Sequence, residues 1–297
     1  IHAKNRHFIK MIYCIKRKDL DIDKYDACIA ASVQFRIYAF SWYLDAVSEN
    51  WEVLILNDYE AVMPLPWKQK YFLKYITQPF FCQQLGIFSF APITLQIQEN
   101  MIRRIPKKFM RTSINFNADN FLNANMKLRK NALLTIENVY ENMHAKFNKN
   151  RKRALKKASS LGFTFQENIA ANEFYDFYVL NDKNHRTHVS MKKVLQNILN
   201  LKTQAVQCYG IKRNTVLIAG VLLLVDPKRI TYLIPVASAF GKKNAAATLL
   251  VDEIIKKYRH SHQILDFEGS MIPGVAKFYE SFGTTYEDYP TFSKNFI

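Results

Sequence analysis

Three segments of the chain carry residue types that could bind an anion or move a proton. The most basic is Lys149–Lys157, in which six of the nine residues are Lys or Arg. On a helix these cations would cover most of the circumference, so the segment predicts a phosphate-binding surface or a solvated helix face, not a membrane-lying amphipathic helix. The candidate anion-binding or nucleic-acid-binding residues are Lys149, Arg151, Lys152, Arg153, Lys156 and Lys157.

A second candidate site is the predicted start of a helix at Asn244. The N–H groups of a first helical turn lack partners within the helix and carry about half a positive charge. The small side chains of Ala245 and Ala246 would let a phosphate approach those N–H groups, and Lys242 and Lys243 would raise the local potential. The alternative is that Asn244 caps the helix and occupies the same N–H groups.

A third candidate is a pair of carboxylates, Asp266 and Glu268, at the end of a predicted buried strand. Residues two apart on a strand point to the same face. One of them could orient or deprotonate an acceptor amine and so act as a catalytic residue. The alternative roles are pairing with Lys or Arg and capping of the helix that follows.

The predicted elements of the C-terminal half run β-α-α-β-β-β-α-β-α-β over residues 163–292. A strand at 133–137 and a helical region at 140–160 precede them. The helix at 244–259 is the strongest, because its apolar residues recur on one face. The predicted strands are 163–167, 205–211, 216–225, 229–236, 263–267 and 286–292, and the predicted helices are 172–180, 191–201, 244–259 and 273–282.

The N-terminal half predicts a degraded version of the same order. A hairpin is expected around Asn57-Asp58, and Ser41 is expected to cap a short helix over 41–48. The polar, Asn-rich residues 117–130 predict a lobe boundary near residue 125. The remaining predicted elements are strands at 12–17 and 111–115 and helices at 23–32 and 94–105.

Composition predicts a folded protein with an anionic partner. Of 297 residues, 49% are hydrophobic and 14% aromatic, which argues against disorder, and the net charge is +17. That charge favours a nucleic acid, a membrane surface or a phosphate-rich small molecule without choosing among them. The longest apolar run, Thr215 to Val225, is too short to cross a bilayer.

A cytoplasmic location is expected, because residues 1–10 carry charges where a signal peptide would be apolar. The four cysteines (Cys14, Cys28, Cys82 and Cys208) sit among apolar residues without paired spacing and predict small buried hydrophobes in a reducing compartment. His185 and His188 have no apparent third ligand, so no metal site is expected.

Three stretches carry a resemblance to a known family. FNKNRKRALKKASSLGFTF (residues 147–165) resembles the basic helix, Gly-ended turn and strand of Fem-type peptidoglycan aminoacyltransferases. ILDFEGSMIPGVAKFYESFG (264–283) is similar to the ending of Fem-like and related two-lobed acetyltransferases of the GNAT superfamily. SWYLDAVSENWEVLILNDYEAVMPLP (41–66) resembles the opening of that group, where a Trp-bearing helix precedes a hairpin ending in Pro-Leu-Pro.

The resemblance implies an α/β (α+β) fold of two tandem GNAT-like lobes, each a mixed, mostly antiparallel sheet flanked by helices. The lobes would span residues 11–125 and 126–297, with the donor site in the second. The implied activity is transfer of an acyl or aminoacyl group to an amine, from acyl-coenzyme A or aminoacyl-tRNA.

The resemblance also implies roles for individual residues. The loop at 241–250 would hold the coenzyme A pyrophosphate, although Asn244 stands where a Gly is usual and no Arg opens the motif. Tyr279 would donate a proton to the leaving thiolate. A strand N–H near Ile234–Ala237 would polarise the donor carbonyl, which makes Ile234 and Val236 donor-site candidates. Glu268 stands where the family has a variable residue or Gly.

Three functions therefore stay open. An acyl-coenzyme A-dependent N-acyltransferase is the first. An aminoacyl-tRNA-dependent transferase is the second; the basic helix favours it, and the absence of a long heptad hairpin opposes it. A binding protein that kept the fold without the chemistry is the third, favoured by the altered phosphate loop.

Overall fold

The computed structural model describes residues 11–124, 126–181, 189–269 and 272–295. Within these residues the chain forms two compact units: a first unit of residues up to 129 together with 289–295, and a second unit of residues 130–288. From the sequence, residues 289–295 are expected in the second lobe, whereas the structure groups them with the first unit. Residues 1–10, His185 and His188 lie outside the described residues.

The first unit is a mixed sheet with helices. Its sheet runs in the order β1-β2-β3-β4-β6, and β5 pairs with β3. β4 and β6 are parallel, whereas β1 to β4 are joined by antiparallel pairs. The strands are β1 (Ile12–Lys16), β2 (Trp51–Leu56), β3 (Ala61–Lys70), β4 (Leu73–Thr77), β5 (Phe88–Ser89) and β6 (Phe109–Asn115), and the helices are α1 (Ile22–Ala31), α2 (Ser41–Val47) and α3 (Leu95–Arg103).

Local sequence explains most of these elements. The predicted hairpin forms, with β2 and β3 paired from Trp51↔Pro66 to Leu56↔Ala61. Thr94 caps α3 by accepting a hydrogen bond from the Ile97 N–H. Ser41 does not cap α2 as predicted: it is the first residue of the helix, and its N–H and hydroxyl both donate to Asp26.

The second unit contains the strongest predicted elements. Its strands are β7 (Met126–Thr135, which begins in the first unit), β8 (Thr164–Gln166), β9 (Val206–Arg213), β10 (Val216–Val225), β11 (Arg229–Ala237) and β12 (Ile264–Asp266). Its helices are α4 (Tyr140–Lys146), α5 (Lys149–Ser159), α6 (Ala171–Asn181), α7 (Val189–Leu199), α8 (Ala239–Lys243), α9 (Ala246–Tyr258) and α10 (Pro273–Glu280). The last strand, β13 (Thr285–Asn295), leads back to the first unit.

The predicted order from residue 163 to the last strand is confirmed, with the short helix α8 added. The sheet of this unit runs β7-β12-β11-β10-β9-β8. Among its described pairs, only β11 with β12 is parallel. The two units divide after residue 129, within the Asn-rich segment 117–130, and the end of that segment belongs to β7. Asn148 divides the predicted helical region by capping α5.

The core of the second unit lies between its sheet and the helices α5, α9 and α10. Leu250, Val251, Ile254 and Ile255 of α9 are all buried in it, as the periodicity predicts. Among the described residues no helix is long and apolar enough to cross a bilayer. Cys28, Cys82 and Cys208 are buried as predicted, Cys14 is half-buried, and all four are free.

Candidate functional site

The candidate site begins where two strands of the second unit part. β11 and β12 pair in parallel from Arg229↔Ile264 to Thr231↔Asp266. Beyond Thr231, β11 continues to Ala237, and the described pairs of that stretch are to β10 alone. Among the described residues, one edge of β11 therefore has no strand partner, which makes its backbone groups available to a ligand.

A bulge reshapes β11 at the start of this open stretch. Leu222 of β10 lies opposite Ile234, whereas the next residue, Leu223, lies opposite Tyr232, so Leu233 is an extra residue. Such bulges bend a strand and change where its side chains and N–H groups point. Pro235 follows two residues later and has no N–H to donate.

A cavity of about 530 Å³ opens beside this edge, within the second unit. Its walls come from β11, from the start of α9 with the preceding loop, from α10 and from α5. The lining is mostly apolar and includes two tyrosines and two cations. The lining residues are Arg151, Ala154, Tyr232, Pro235, Val236, Ala237, Gly241, Lys242, Ala245, Ala247, Thr248, Gly274, Val275, Phe278 and Tyr279.

The N-terminus of α9 has unpartnered N–H groups at this cavity. Ala245 is the N-cap residue, and its side chain makes no capping hydrogen bond. The alternative that Asn244 caps the helix is wrong: its side-chain amide donates to the Phe240 carbonyl. Within the described residues, no hydrogen-bond partner occurs for the N–H groups of Ala246 and Ala247. Ala246 is fully buried, whereas Ala247 lines the cavity, so the Ala247 N–H and the helix dipole suit an anion there.

Ala245 reaches this arrangement with a left-handed backbone, at φ 56° and ψ 29°. Residues other than Gly seldom adopt that conformation, and it costs about 1–2 kcal/mol. The loop before α9 therefore has a backbone turn that favours Gly, and Ala245 occupies the position where Gly would be unstrained.

Of the predicted loop residues, Lys242 and Ala245 line the cavity. Lys243 and Asn244 are not among its lining residues, and Ala246 is fully buried. On β11, Val236 lines the cavity, whereas Ile234 does not. The structure thus brings together three of the seven residues predicted to bind the donor.

Arg151 of α5 provides a half-buried cation to the site. Its Nη1 donates to the Thr248 hydroxyl in the first turn of α9, and its Nε donates to the Ser281 hydroxyl at 2.8 Å. The guanidinium lies 4.2 Å from the ring centroid of Phe278 and 4.8 Å from that of Phe282. Burial lowers the pKa of Arg151 to about 10, so it stays charged at neutral pH.

No carboxylate pairs with Arg151 among the described residues. A desolvated cation without a counterion strongly attracts an anionic group. The other cations of α5 do not line the cavity: Lys149, Arg153 and Lys156 are exposed, and Lys157 Nζ donates to the Lys243 carbonyl at 2.9 Å. Lys152 likewise donates to a backbone carbonyl, that of Ala145. The six cations predicted to form one basic surface are therefore divided: Arg151 lines the cavity, and the other five do not.

Two tyrosines line the cavity near the open edge of β11. The Tyr279 ring stacks on Phe267 at a centroid distance of 4.6 Å, and the Tyr232 ring meets Phe267 edge-on at 5.5 Å. Within the described residues neither hydroxyl has a hydrogen-bond partner. Tyr279 is a candidate from the sequence, whereas Tyr232 is not. The only feature of the sequence that could have indicated Tyr232 was its position on the strand expected to polarise the donor carbonyl.

The charges around the two phenols differ. Burial raises the pKa of both, and the Glu268 carboxylate raises that of Tyr279 further. The Arg151 guanidinium acts in the opposite direction on the pKa of Tyr232. The neighbouring Tyr279 phenol adds to the rise at Tyr232, so the pKa of both phenols stays above its ordinary value and both remain protonated at neutral pH, as a proton donor must.

The predicted carboxylate pair does not form a joint site. Asp266 is buried, its Oδ2 accepts from Arg229 Nη1 at 2.7 Å, and its Oδ1 accepts from the Glu268 N–H at 2.8 Å. Glu268 lies beyond the end of β12 with φ 58°, so the two side chains do not share a strand face. Neither residue lines the cavity. Asp266 has the alternative role, that of an ion-pair partner.

No protein-family model and no curated protein sequence matches the chain. Solved structures are similar to it along most of its length. A crystal structure of FemX has a TM-score of 0.66 and 11% identity, covering 91% of this chain and 96% of that one. The C-terminal domain of a protein from Agrobacterium fabrum, described as a lysylphosphatidylglycerol synthetase, has a TM-score of 0.60 and 12% identity, covering 93% and 91%.

A tandem GNAT protein from the clavulanic acid biosynthesis pathway has a TM-score of 0.53 and 10% identity, covering 95% of this chain and 98% of that one. At such identities the likeness concerns the fold. The element order, the sheet with one parallel pair, and these matches together show that the chain has the two-lobed GNAT fold found in Fem-like proteins.

Proposed function

We propose that the second unit is a cytoplasmic N-acyltransferase site that takes its acyl group from acyl-coenzyme A. The observation that supports this most directly is the meeting of Arg151 with the uncapped start of α9 at one wall of the cavity. A diphosphate is the group that such a wall would bind, since it offers several oxygens to N–H and guanidinium donors. Lys242 adds a second cation at the same wall.

The open edge of β11 would then receive the rest of the donor. The apolar lining suits the pantetheine arm and the acyl chain, and a backbone N–H of the bulged stretch near Leu233 and Ile234 would donate to the thioester oxygen. The acceptor amine attacks the carbonyl carbon, the C–N bond forms, and the C–S bond breaks. The departing thiolate takes a proton from Tyr232 or Tyr279, and the excess proton of the amine passes through water to the resulting tyrosinate, which restores the phenol.

Acceleration in this scheme comes mainly from positioning and from stabilisation of the oxyanion. No covalent enzyme intermediate is required, because an amine can attack a thioester directly. Asp266 has no part in the reaction, since Arg229 occupies its carboxylate.

The decisive variant is Ala247→Glu, because Ala247 lines the cavity in the first turn of α9. A Glu in the first turn is favourable for a helix, so the fold should keep its stability. The added carboxylate would repel a phosphate and fill its place. Thermal shift with acetyl-coenzyme A and with longer acyl-coenzymes A is the assay; a ligand at 100 times its dissociation constant adds about 2.7 kcal/mol.

We expect the wild type to be stabilised by an acyl-coenzyme A and Ala247→Glu to show no such shift. Ala247→Gln is the matched control, because it adds similar bulk without charge and should retain part of the binding. Equal shifts in the wild type and in Ala247→Glu would place the donor elsewhere and contradict the proposal. Binding without transfer to any amine would favour the non-catalytic alternative.

An aminoacyl-tRNA donor is the second candidate, and the exposed cations of α5 favour it. Lys149, Arg153 and Lys156 face solvent on the helix that carries Arg151 into the cavity. A tRNA-binding surface of this kind would show steep salt dependence. Filter binding of tRNA at several salt concentrations, with a Lys149→Gln/Arg153→Gln/Lys156→Gln variant, tests this candidate; an unchanged salt slope in the variant would exclude these residues.

A further inference from the structure

The β3–β4 hairpin of the first unit ends in three exposed apolar residues. Tyr71 is 82% exposed, Phe72 96% and Leu73 51%. Lys70 pairs with Leu73, so Tyr71 and Phe72 form the two-residue turn itself. Apolar side chains exposed to this degree, and consecutive in a chain, indicate an interaction surface.

Tyr71 is an unusual residue for the backbone conformation of this turn. Tyr71 lies at φ 53°, in the left-handed region that two-residue hairpin turns usually assign to Gly, Asn or Asp. Aromatic side chains lose stability in that position. The Lys70 Nζ lies 5.8 Å from the Tyr71 ring centroid, but most of both aromatic side chains remains in solvent. A residue choice that opposes local backbone stability, in side chains exposed to this degree, is typical of a functional site.

Cations surround the tip. Lys68, Lys70 and Lys74 flank it, and no Asp or Glu occurs between residues 61 and 98. None of these three lysines pairs with a carboxylate among the described residues. A groove of about 540 Å³ beside the hairpin is lined by Lys70, Tyr71, Leu73, Lys74, Tyr75, Met110 and Arg111.

We propose that this hairpin tip anchors the protein to an anionic lipid bilayer. The side chains of Tyr71, Phe72 and Leu73 enter the interfacial region, where aromatic rings are favoured. The lysines at 68, 70 and 74 contact lipid phosphates. A protein partner fits less well, because a stable interface needs about 1,000 Å² or more and a two-residue turn presents far less.

The test uses the full chain and vesicles of phosphatidylcholine with about 30% phosphatidylglycerol, because the lysines require an anionic surface. The informative variant is Tyr71→Gly/Phe72→Asn. It removes both aromatic rings and places Gly at the first central position, where the positive φ favours it, so the melting temperature should stay equal or rise. We expect vesicle binding to fall at least about tenfold, so that stability and membrane affinity change in opposite directions.

The charge contribution is tested separately with Lys68→Gln/Lys70→Gln/Lys74→Gln. Each lysine near an anionic surface contributes about fivefold in affinity, so we expect a loss of about a hundredfold. Phe90→Ser is the matched control, because Phe90 is 50% exposed and follows β5, which pairs with β3 at the end opposite the hairpin. It should leave binding unchanged.

A third measurement reports insertion directly. In Phe72→Trp, the tryptophan emission should shift to the blue when the anionic vesicles are added. Three results would overturn the proposal: equal binding to pure phosphatidylcholine vesicles, undiminished binding by the Tyr71→Gly/Phe72→Asn variant, or self-association of the chain that this variant abolishes while vesicles are not bound. The last result would assign the tip to a second copy of the chain.

Discussion

The guanidinium of Arg151 donates a hydrogen bond to the hydroxyl of Thr248, although the two residues lie 97 positions apart in the chain. This contact places a cation from α5 at the first turn of α9. The loop motif of GNAT enzymes usually opens with an Arg, and this chain lacks one there. Arg151 supplies positive charge to the same cavity from a different element, which makes the altered loop compatible with an anionic donor.

Arg151→Met should weaken donor binding. A hydrogen bond to a charged group contributes about 1.5–3 kcal/mol, so we expect the dissociation constant of acyl-coenzyme A to rise about 10- to 100-fold. Met keeps part of the apolar contact with Phe278, which limits the loss of stability. Isothermal titration calorimetry measures the effect. Arg153→Met on the exposed face of α5 is the control and should bind normally; equal affinity in both variants would remove Arg151 from the site.

Phenylalanine substitutions should identify the general acid. Loss of a general acid lowers turnover by about 10²- to 10⁴-fold. Both phenols line the cavity, and Tyr279 is the residue that the family resemblance implies as the acid, so we expect Tyr279→Phe to lower kcat more than Tyr232→Phe. Neither hydroxyl has a protein partner among the described residues, so the melting temperatures should change little. Undiminished turnover in both variants, and in the double variant, would show that water or the acceptor supplies the proton.

Asp266→Ala should destabilise the fold without a specific effect on chemistry. The buried ion pair of Asp266 with Arg229 would lose one partner, which costs about 3–5 kcal/mol. Urea denaturation should therefore show a lower free energy of unfolding, while kcat of the folded fraction stays near that of the wild type. Glu287→Gln, which alters the more exposed partner of Arg229, should cost less. A fall in kcat with unchanged stability would restore a catalytic role to Asp266.

Ala245→Gly should stabilise the protein, because Gly is preferred over Ala both at an N-cap position and in a left-handed backbone. The left-handed backbone of Ala245 favours Gly, and after the entropy of the unfolded chain is included we expect a gain of about 0.5–1 kcal/mol. Ala247→Gly, two residues later inside α9, should lower stability by a similar amount. Chemical denaturation of both variants gives the comparison; a loss of stability in both would indicate that Ala245 is not strained.

The sequence by itself determined the elements and their order. Apolar periodicity located α9, the Asn57-Asp58 turn located the first hairpin, and Pro273 located the start of α10. These signals are local, because a helix face, a turn or a cap is decided by residues a few positions apart. That order, read together with the resemblance, was sufficient for the two-lobed fold.

Only the tertiary structure decided which of the candidate residues meet. Six cations on α5 look alike in sequence, and the packing of α5 against α9 selects Arg151 for the cavity. The same holds for Asp266, whose partner Arg229 is 37 residues away, and for Tyr232, which the splaying of β11 from β12 exposes to the cavity. Contacts across such separations depend on how whole elements pack, and no short segment of sequence contains that information.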